Sequence, residues 1–311
     1  PRCNPFFRAA ALAAFSLALA AIPAHAATVT WSGLTGADWD LGTNWSGLAK
    51  PATADTALFN LTGITSVTNA SADQTVTGIT FDTNIASTGA FTLGTTGGNK
   101  LTLQDTGTIQ VLSTLTGTNK TINVNAPVVL AGTSYNFVND SASATNTLKF
   151  GGTIKSTSGT TILTLGGANT GANTISGIIS NGASGTMGVT KTGSGTWVLT
   201  GANTYTGTTT ISTGTLQIGN GTAGSINNTA SIVNNANLAY NSSGSYFLPS
   251  GGITGTGNIT TSGGIATFAG NITLGGTHTY NSGRYDLSSN ATLTGSSITL
   301  NGVIGGGGSG T

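Results

Sequence analysis

Short runs of alternating β-formers, each closed by glycine or asparagine, repeat from Ala27 onward, and this pattern constrains the fold more than any other feature of the chain. Thr75–Phe81, Phe91–Leu93, Leu101–Leu103, Thr108–Leu112 and Thr121–Val124 all read this way. A period of two sends alternate side chains to a dry and a wet face, as in a strand, and the breakers tolerate the positive φ of a tight turn. No window long enough for a helix carries an apolar stripe of helical period. Composition supplies the reason: Gly, Thr, Ser and Asn number 49, 60, 30 and 28 of the 311 residues, and all four are mediocre or poor in helix interiors. A coiled coil or helical bundle is therefore excluded. Disorder is disfavoured by the 37% of hydrophobic residues, which recur along the whole length. The expected class is all-β, built from many short strands.

The N-terminal segment reads differently. Arg2 and Arg8 precede or open an apolar run from Ala9 to Pro23, which ends in Ala24-His25-Ala26, the small-x-small form of a signal-peptidase site. The run is shorter than the roughly 20 residues of a membrane span. The segment 1–26 is accordingly expected to be a cleaved secretory signal peptide, 27–61 a Trp-rich N-terminal cap region, and 62–311 a β-helical fragment. Cleavage removes Arg2, Arg8, Cys3 and His25, leaving six lysines and Arg284 against eight aspartates, a formal charge of −1. Such a chain has no electrostatic footprint for nucleic acid and no cysteine for a disulfide scaffold. Glutamate is absent altogether, which removes any mechanism that needs one.

Internal echoes select among the all-β folds. Leu165–Thr170 recurs as Leu199–Thr204 at an offset of 34, and Thr196–Leu199 as Thr215–Ile218 at an offset of 19. Gly177–Thr186 aligns without gaps to Gly302–Thr311, an offset of 125, with six of ten positions identical. Irregular offsets near 20 or its multiples suit a solenoid with variable loops, whereas a sandwich gives no reason for them. In a parallel β-helix each coil stacks about 4.8 Å from the last, so inward apolar residues form columns while Thr and Asn stack on themselves. Roughly 10 to 12 coils of about 20 to 25 residues are expected from Thr62 on, with exposed sheet edges at the ends.

The stretch Gly193–Gly219, GSGTWVLTGANTYTGTTTISTGTLQIG, closely resembles the autotransporter-associated β-strand repeat, also called the passenger-associated transport repeat. The matching positions are G-T-x-x-L-x-G-x-N-x-Y-x-G from Gly195 to Gly207 and T-x-x-x-G-T-L from Thr210 to Leu216. Trp197 departs from the usual aliphatic residue and keeps its inward apolar role. Trp31-Ser-Gly-Leu34 and Trp45-Ser-Gly-Leu48 resemble N-terminal regions of such proteins. The resemblance implies a right-handed parallel β-helix and an exported passenger, displayed on a bacterial surface or released. It also implies an outer-membrane translocation barrel as partner, which this sequence does not contain. The repeat is associated in the family with efficient passenger transport. The 125-residue echo further predicts that the natural chain continues past Thr311 with another copy of the Gly195–Leu216 pattern.

Candidate sites are few, and no catalytic, cofactor-binding or metal residue is assigned. Asp38 and Asp40 form the one closely spaced carboxylate pair, and they read as solvated turn residues rather than a glycosidase pair. Asp140 with Lys149 and Lys155 is the nearest approach to a polysaccharide-lyase cluster. His278 has no Cys, Glu or second mature His as partner and is expected at the surface. No second Asp accompanies Asp286 for calcium, and Gly305–Gly308 lacks the Lys-Ser/Thr ending of a phosphate loop. Trp31, Trp39 and Trp45 read as cover for the open apolar end of the first coil rather than a sugar platform. Thr-x-Thr triplets at Thr75, Thr190, Thr254 and Thr292 are too irregularly spaced to be expected on one flat lattice. The sequons at Asn44, Asn60 and Asn119 follow from composition. The expected function is a non-catalytic scaffold for adhesion, biofilm or a stalk, with host or matrix glycans or self-association as contacts. The alternatives are a polysaccharide-active β-helical enzyme and an envelope protein anchored by another C-terminal signal.

Overall fold

The computed structural model describes residues 26–68, 71–83, 85, 89–268, 270–281, 284–287 and 292–306, the side chains at 246, 268, 285, 287 and 303–306 excepted. Positions 1–25 of the expected signal peptide, and 307–311 of the terminal echo, lie outside the described residues.

Each alternating run becomes a strand, and consecutive turns of chain lay those strands side by side. Among the described residues they form three sheets, of 15, 11 and four strands, in which every pairing between strands is parallel. The first sheet runs from Thr28–Thr30 through Thr56–Phe59 to Leu293–Thr294, and the second from Ser66–Val67 to Ser297–Leu300. The third side is closed mid-chain by Val128–Leu130, Ile154–Ser156 and Ile179–Ser180, which branch from the first sheet. Nearer the C-terminus the four-stranded sheet takes that place, with Ser245–Leu248, Ile265–Phe268, Arg284–Leu287 and Val303–Gly306. The chain is thus an all-β parallel solenoid, as expected.

Register makes the core. Along the second sheet Val67, Leu93, Val124, Phe150, Ile175, Leu199, Ile218 and Tyr240 stand directly on one another, all at most 2% exposed. Each such side chain contributes about 1.5–3 kcal/mol by leaving water. Corners need glycine where turns touch: a Cβ on Gly177 would lie 1.8 Å from the Gly152 carbonyl oxygen.

The 19-residue echo is a true register, since Thr196, Trp197, Val198 and Leu199 pair with Thr215, Leu216, Gln217 and Ile218. The 34-residue echo is not. Leu165 belongs to the first sheet and pairs with Lys191, whereas Leu199 belongs to the second. What the two copies share is a corner, in which buried Asn169 and Asn203 each bond local backbone, to Gly171 N and Gly201 O.

Coil length falls outside the expected range in both directions. On the second sheet one turn runs from Phe91 to its partner Ile122 in the N-terminal half, but only from Thr196 to Thr215 farther on. Turns after Thr196 stay short, as the Leu216–Leu238 and Ile259–His278 pairs show. Loops absorb the difference, so register survives it.

At the N-terminal end Trp31, Trp39 and Trp45 are each 1% exposed, with ring centroids 5.9, 5.9 and 5.7 Å from Phe59. The indoles are packed onto the first turn rather than displayed.

Phe137 stacks on Phe150 at 4.3 Å and 8° across the interior, joining the first and second sheets. Phe137→Ala is expected to cost about 3–5 kcal/mol. A fall in the urea midpoint followed by far-UV circular dichroism checks this, and an unchanged midpoint contradicts the packing.

Candidate functional site

The segment Val189–Ile218 forms one full turn and the start of the next. Strands Ser184–Lys191, Thr196–Leu199, Thr209–Ile211 and Thr215–Ile218 supply its first and second sides. The third side here is held by the Ala202–Ser225 bridge and by Asn203, whose side chain accepts from Ile179 N at 2.9 Å and donates to Ser225 O at 2.9 Å.

Alternation turns Lys191 inward. In the column of the first sheet it lies between Leu165 and Ile211, and it is 0% exposed. No carboxylate reaches it. Its ammonium donates instead to the carbonyl oxygens of Thr192 at 2.5 Å, Gly193 at 2.7 Å and Thr213 at 3.3 Å, joining two stacked corners. Burial pushes its pKa down to about 8. Gly214, at φ +72°, closes the site: a Cβ there would lie 2.4 Å from Gly193 O and 2.7 Å from the ammonium. Lys191 escaped sequence reasoning, although the parity of Val189-Thr190-Lys191 already points it inward.

The other polar groups of this turn are also paired. Trp197 is buried, in register between Asn173 and Leu216, and its indole N–H donates to Gly166 O at 2.9 Å. The Tyr205 hydroxyl bonds Thr209 Oγ1 at 2.8 Å, which bonds Thr229 Oγ1 at 3.0 Å, which donates to Gly207 O at 2.6 Å. Burial raises the Tyr205 pKa, so the phenol stays neutral.

The carboxylates are occupied. Asp40 bonds Lys50 at 2.5 Å and Gln74 at 2.9 Å; burial raises its pKa, and these bonds outweigh that and leave it lowered. Asp38 accepts from Asp40 N. Asp55, Asp73, Asp105 and Asp140 accept backbone N–H groups of Ala27, Lys100, Thr133 and Ala168, each 27 or 28 residues away. Asp82 takes Thr83 N and the Thr114 hydroxyl, and Asp286 pairs with Arg284. Asp140, Lys149 and Lys155 do not converge: Lys149 is on the second sheet, Lys155 on the third side, and Asp140 at a corner. Among the described residues no three His, Cys, Asp or Glu side chains gather as a metal site.

His278 corrects the expectation of a surface residue. It is 0% exposed, in register between Ile259 and Ile298, with Nδ1 3.5 Å from the Tyr280 hydroxyl and Nε2 unpartnered. Alternation along Thr277–Asn281 leaves that position no outward choice. Thr164, Thr190, Thr210, Val233, Thr254, Thr273 and Thr294 form one ladder on the first sheet despite unequal spacing in sequence.

Residues 189–218 match the family model of the passenger-associated transport repeat. A 67-residue stretch, 21% of the chain, is 51% identical to the Adhesin BmaC autotransporter of Brucella suis biovar 1 (strain 1330). That stretch spans 2% of the relative's length. No solved structure matches the chain. Over these stretches the chain is similar to autotransporter passengers. Both matches support a place outside the cell, on the surface or released.

Two titrations follow from the buried bases of the chain. Lys191 has a folded pKa of about 8, against about 10.4 unfolded, so between those values the unfolded chain binds the extra proton and stability rises with pH, by at most about 1.4 kcal/mol per unit. Lys191→Met removes that slope between about pH 8 and 9.5 and, by stripping three carbonyls of their donor, costs about 1–3 kcal/mol near pH 8. Urea midpoints across this range check both. For His278, burial lowers the pKa against a smaller opposing pull from the Leu274 backbone, so stability is lost as pH falls below the unfolded value of about 6.5. His278→Leu is expected to blunt that acid loss, read by hydrogen exchange of Ile259 and Tyr280 amides.

Proposed function

We propose that this passenger is a non-catalytic β-solenoid scaffold acting in adhesion or biofilm formation, or as a stalk for other modules, with a repeat that assists transport across the outer membrane. The observation that carries the reading is that the transport repeat is one turn of the solenoid itself, continuous in register with the turns on both sides. A relative named as an adhesin supports the adhesive part. The non-catalytic part is supported by the aspartates, all eight of which are engaged by backbone, hydroxyl, amide or cationic donors.

The division into a signal peptide at 1–26, a Trp-rich cap region at 27–61 and a passenger fragment at 62–311 belongs to the same proposal. So does the partner for export, a translocation barrel elsewhere in the whole protein. Matrix or host glycans, or further copies of the passenger, are the proposed contacts once outside, and the formal charge of −1 left after removal of 1–26 offers nucleic acid nothing.

Short turns favour transport physically. A single short turn of chain separates Lys191 from its partner Ile211, so each addition closes a small loop and immediately buries its inward residues on the turn already formed. Growth of that kind outside the cell opposes return through the pore.

Deleting Thr192–Ile211 removes one turn and rejoins Lys191 to Ser212 in register. Deleting Val233–Ile253 does the same elsewhere, since Ile232 pairs with Ile253. The first deletion is expected to lower surface display severalfold and the second to leave it near wild type, measured by antibody labelling of intact cells. Equal display of the two contradicts a special role for the repeat.

A further inference from the structure

The threonine ladder of the first sheet is interrupted near its N-terminal end. Thr56, Gly78 and Thr108 are in register on successive turns, so Gly78 leaves a slot between two threonines about 9.6 Å apart, twice the strand spacing. A Cβ at Gly78 would stand 2.8 Å from Thr56 Oγ1 and 3.4 Å from Thr108 O. The slot opens into a cleft of about 240 Å³ lined by Thr56, Thr77, Thr80, Thr106, Thr108 and Gln110.

The backbone beside the cleft is strained. Between the Val76–Leu103 and Gly78–Thr108 pairs, residues 104–107 face the single Thr77. Within that bulge Thr106 is held at φ +63°, a left-handed conformation that is costly for a β-branched residue. Thr106 is exposed, so no buried packing repays the strain. The bulge instead brings its side chain to the rim of the cleft, the re-aiming for which bulges are used.

The lining names the ligand's chemistry. It offers hydroxyls and one amide, with no charged and no aromatic side chain. Gln110 Nε2 donates to Thr80 Oγ1 at 3.1 Å, which fixes the amide, and the Thr77 hydroxyl is committed to Thr53 O at 3.2 Å. A phosphate or carboxylate finds no cation here, and the apolar half of the lining is threonine and glutamine carbon interleaved with hydroxyls and the amide. A neutral group rich in hydroxyls finds donors and acceptors together. The cleft is smaller than the roughly 300–1,000 Å³ of sites for drug-sized molecules, which suits a single ring.

We propose that the cleft over Gly78 docks one neutral sugar ring of a glycan. The proposal deepens the adhesion reading and rests on it for the setting in which a glycan is met. Binding to a single ring is expected with a Kd on the order of 1 mM, and gains strength only when many passengers engage one polymer.

The test is a titration of the full 311-residue chain, followed by amide NMR shifts, with cellobiose, maltose, lactose and diacetylchitobiose, and with digalacturonate as the charged comparison. Expected are saturable shifts at Thr77–Thr80 and Thr106–Gln110 with at least one neutral disaccharide, and none with digalacturonate. Gln110→Ala, which leaves the Gly78 backbone untouched, is expected to weaken binding about tenfold, while Thr254→Val on the same ladder leaves it unchanged. The proposal is overturned if no neutral disaccharide shifts these residues at 100 mM, if Thr254 and Thr273 shift as much, or if Gln110→Ala binds like wild type. Adhesion of displaying cells is scored in parallel: lost adhesion with intact sugar binding overturns the adhesion reading alone, and absent binding with intact adhesion overturns the site alone.

Discussion

Parallel stacking at one strand spacing governs everything else in this solenoid. It fixes which residues meet, because a residue's neighbours are its register partners on the turns before and after, and it fixes which residues are inward, because alternation leaves no choice. Most inward positions are Val, Ile, Leu or Phe and need no further account. The informative ones are Lys191, Asn139, Asn173, Thr209 and His278, all nearly or fully buried. Four of the five find partners at the corners or in neighbouring polar groups. Asn139 donates to Asn173 at 2.6 Å and to Asn146 O at 3.1 Å, and Asn173 accepts from Leu148 N at 3.0 Å. Lys191 finds three carbonyls and Thr209 a hydroxyl chain. His278 is met on one side only, with the Tyr280 hydroxyl 3.5 Å from Nδ1 and no bond at Nε2.

Between turns a second device recurs. One side chain accepts a backbone N–H of the adjacent turn, and its chemistry changes along the chain. Asp55, Asp73, Asp105 and Asp140 do this in the N-terminal half. Asn146, Asn173, Asn203, Asn235, Asn258 and Asn271 do it beyond. The poverty of charge in the composition is therefore uneven in its structural meaning. Where the turns are long, a carboxylate caps a loop; where they shorten, an amide serves a tighter corner. The transport repeat begins near that change.

Much of this is legible in the order of residues alone. Period-two runs mark the strands, and the Thr196–Thr215 echo is a register because both copies sit in the same sheet. The Leu165–Leu199 echo misleads because similar corners occur between different pairs of sides, and local sequence records the corner rather than the side. His278 and Lys191 are each legible in principle from parity, as they alternate with outward Thr277 and Thr279, and with outward Thr190. Residue type argues the other way, since a cation or an imidazole is cheaper in water than in a core. The cleft over Gly78 is beyond reach of sequence, since it depends on Thr56, Gly78 and Thr108 meeting across two turns of unequal length and on a bulge in Leu101–Val111. The asparagine network is hidden for the same reason, its partners lying up to 34 residues apart.

The change of capping group also bears on the response to acid, at Asp105. A carboxylate cap is lost on protonation, and the hydrogen bonds that hold Asp105 below the usual carboxylate range, led by Thr133 N, make its stabilisation one that is present near neutrality and lost as pH falls through that lowered value. An amide cap accepts the same kind of bond at any pH. Because each turn touches only its neighbours, loosening at Asp105 is not transmitted to Lys191 several turns away. The two kinds of cap overlap where Asp140 holds Ala168 and Asn146 holds Lys120. Acid therefore weakens the stack at the Asp105 cap, while among the amide-capped turns the buried imidazole of His278 is an acid-sensitive group.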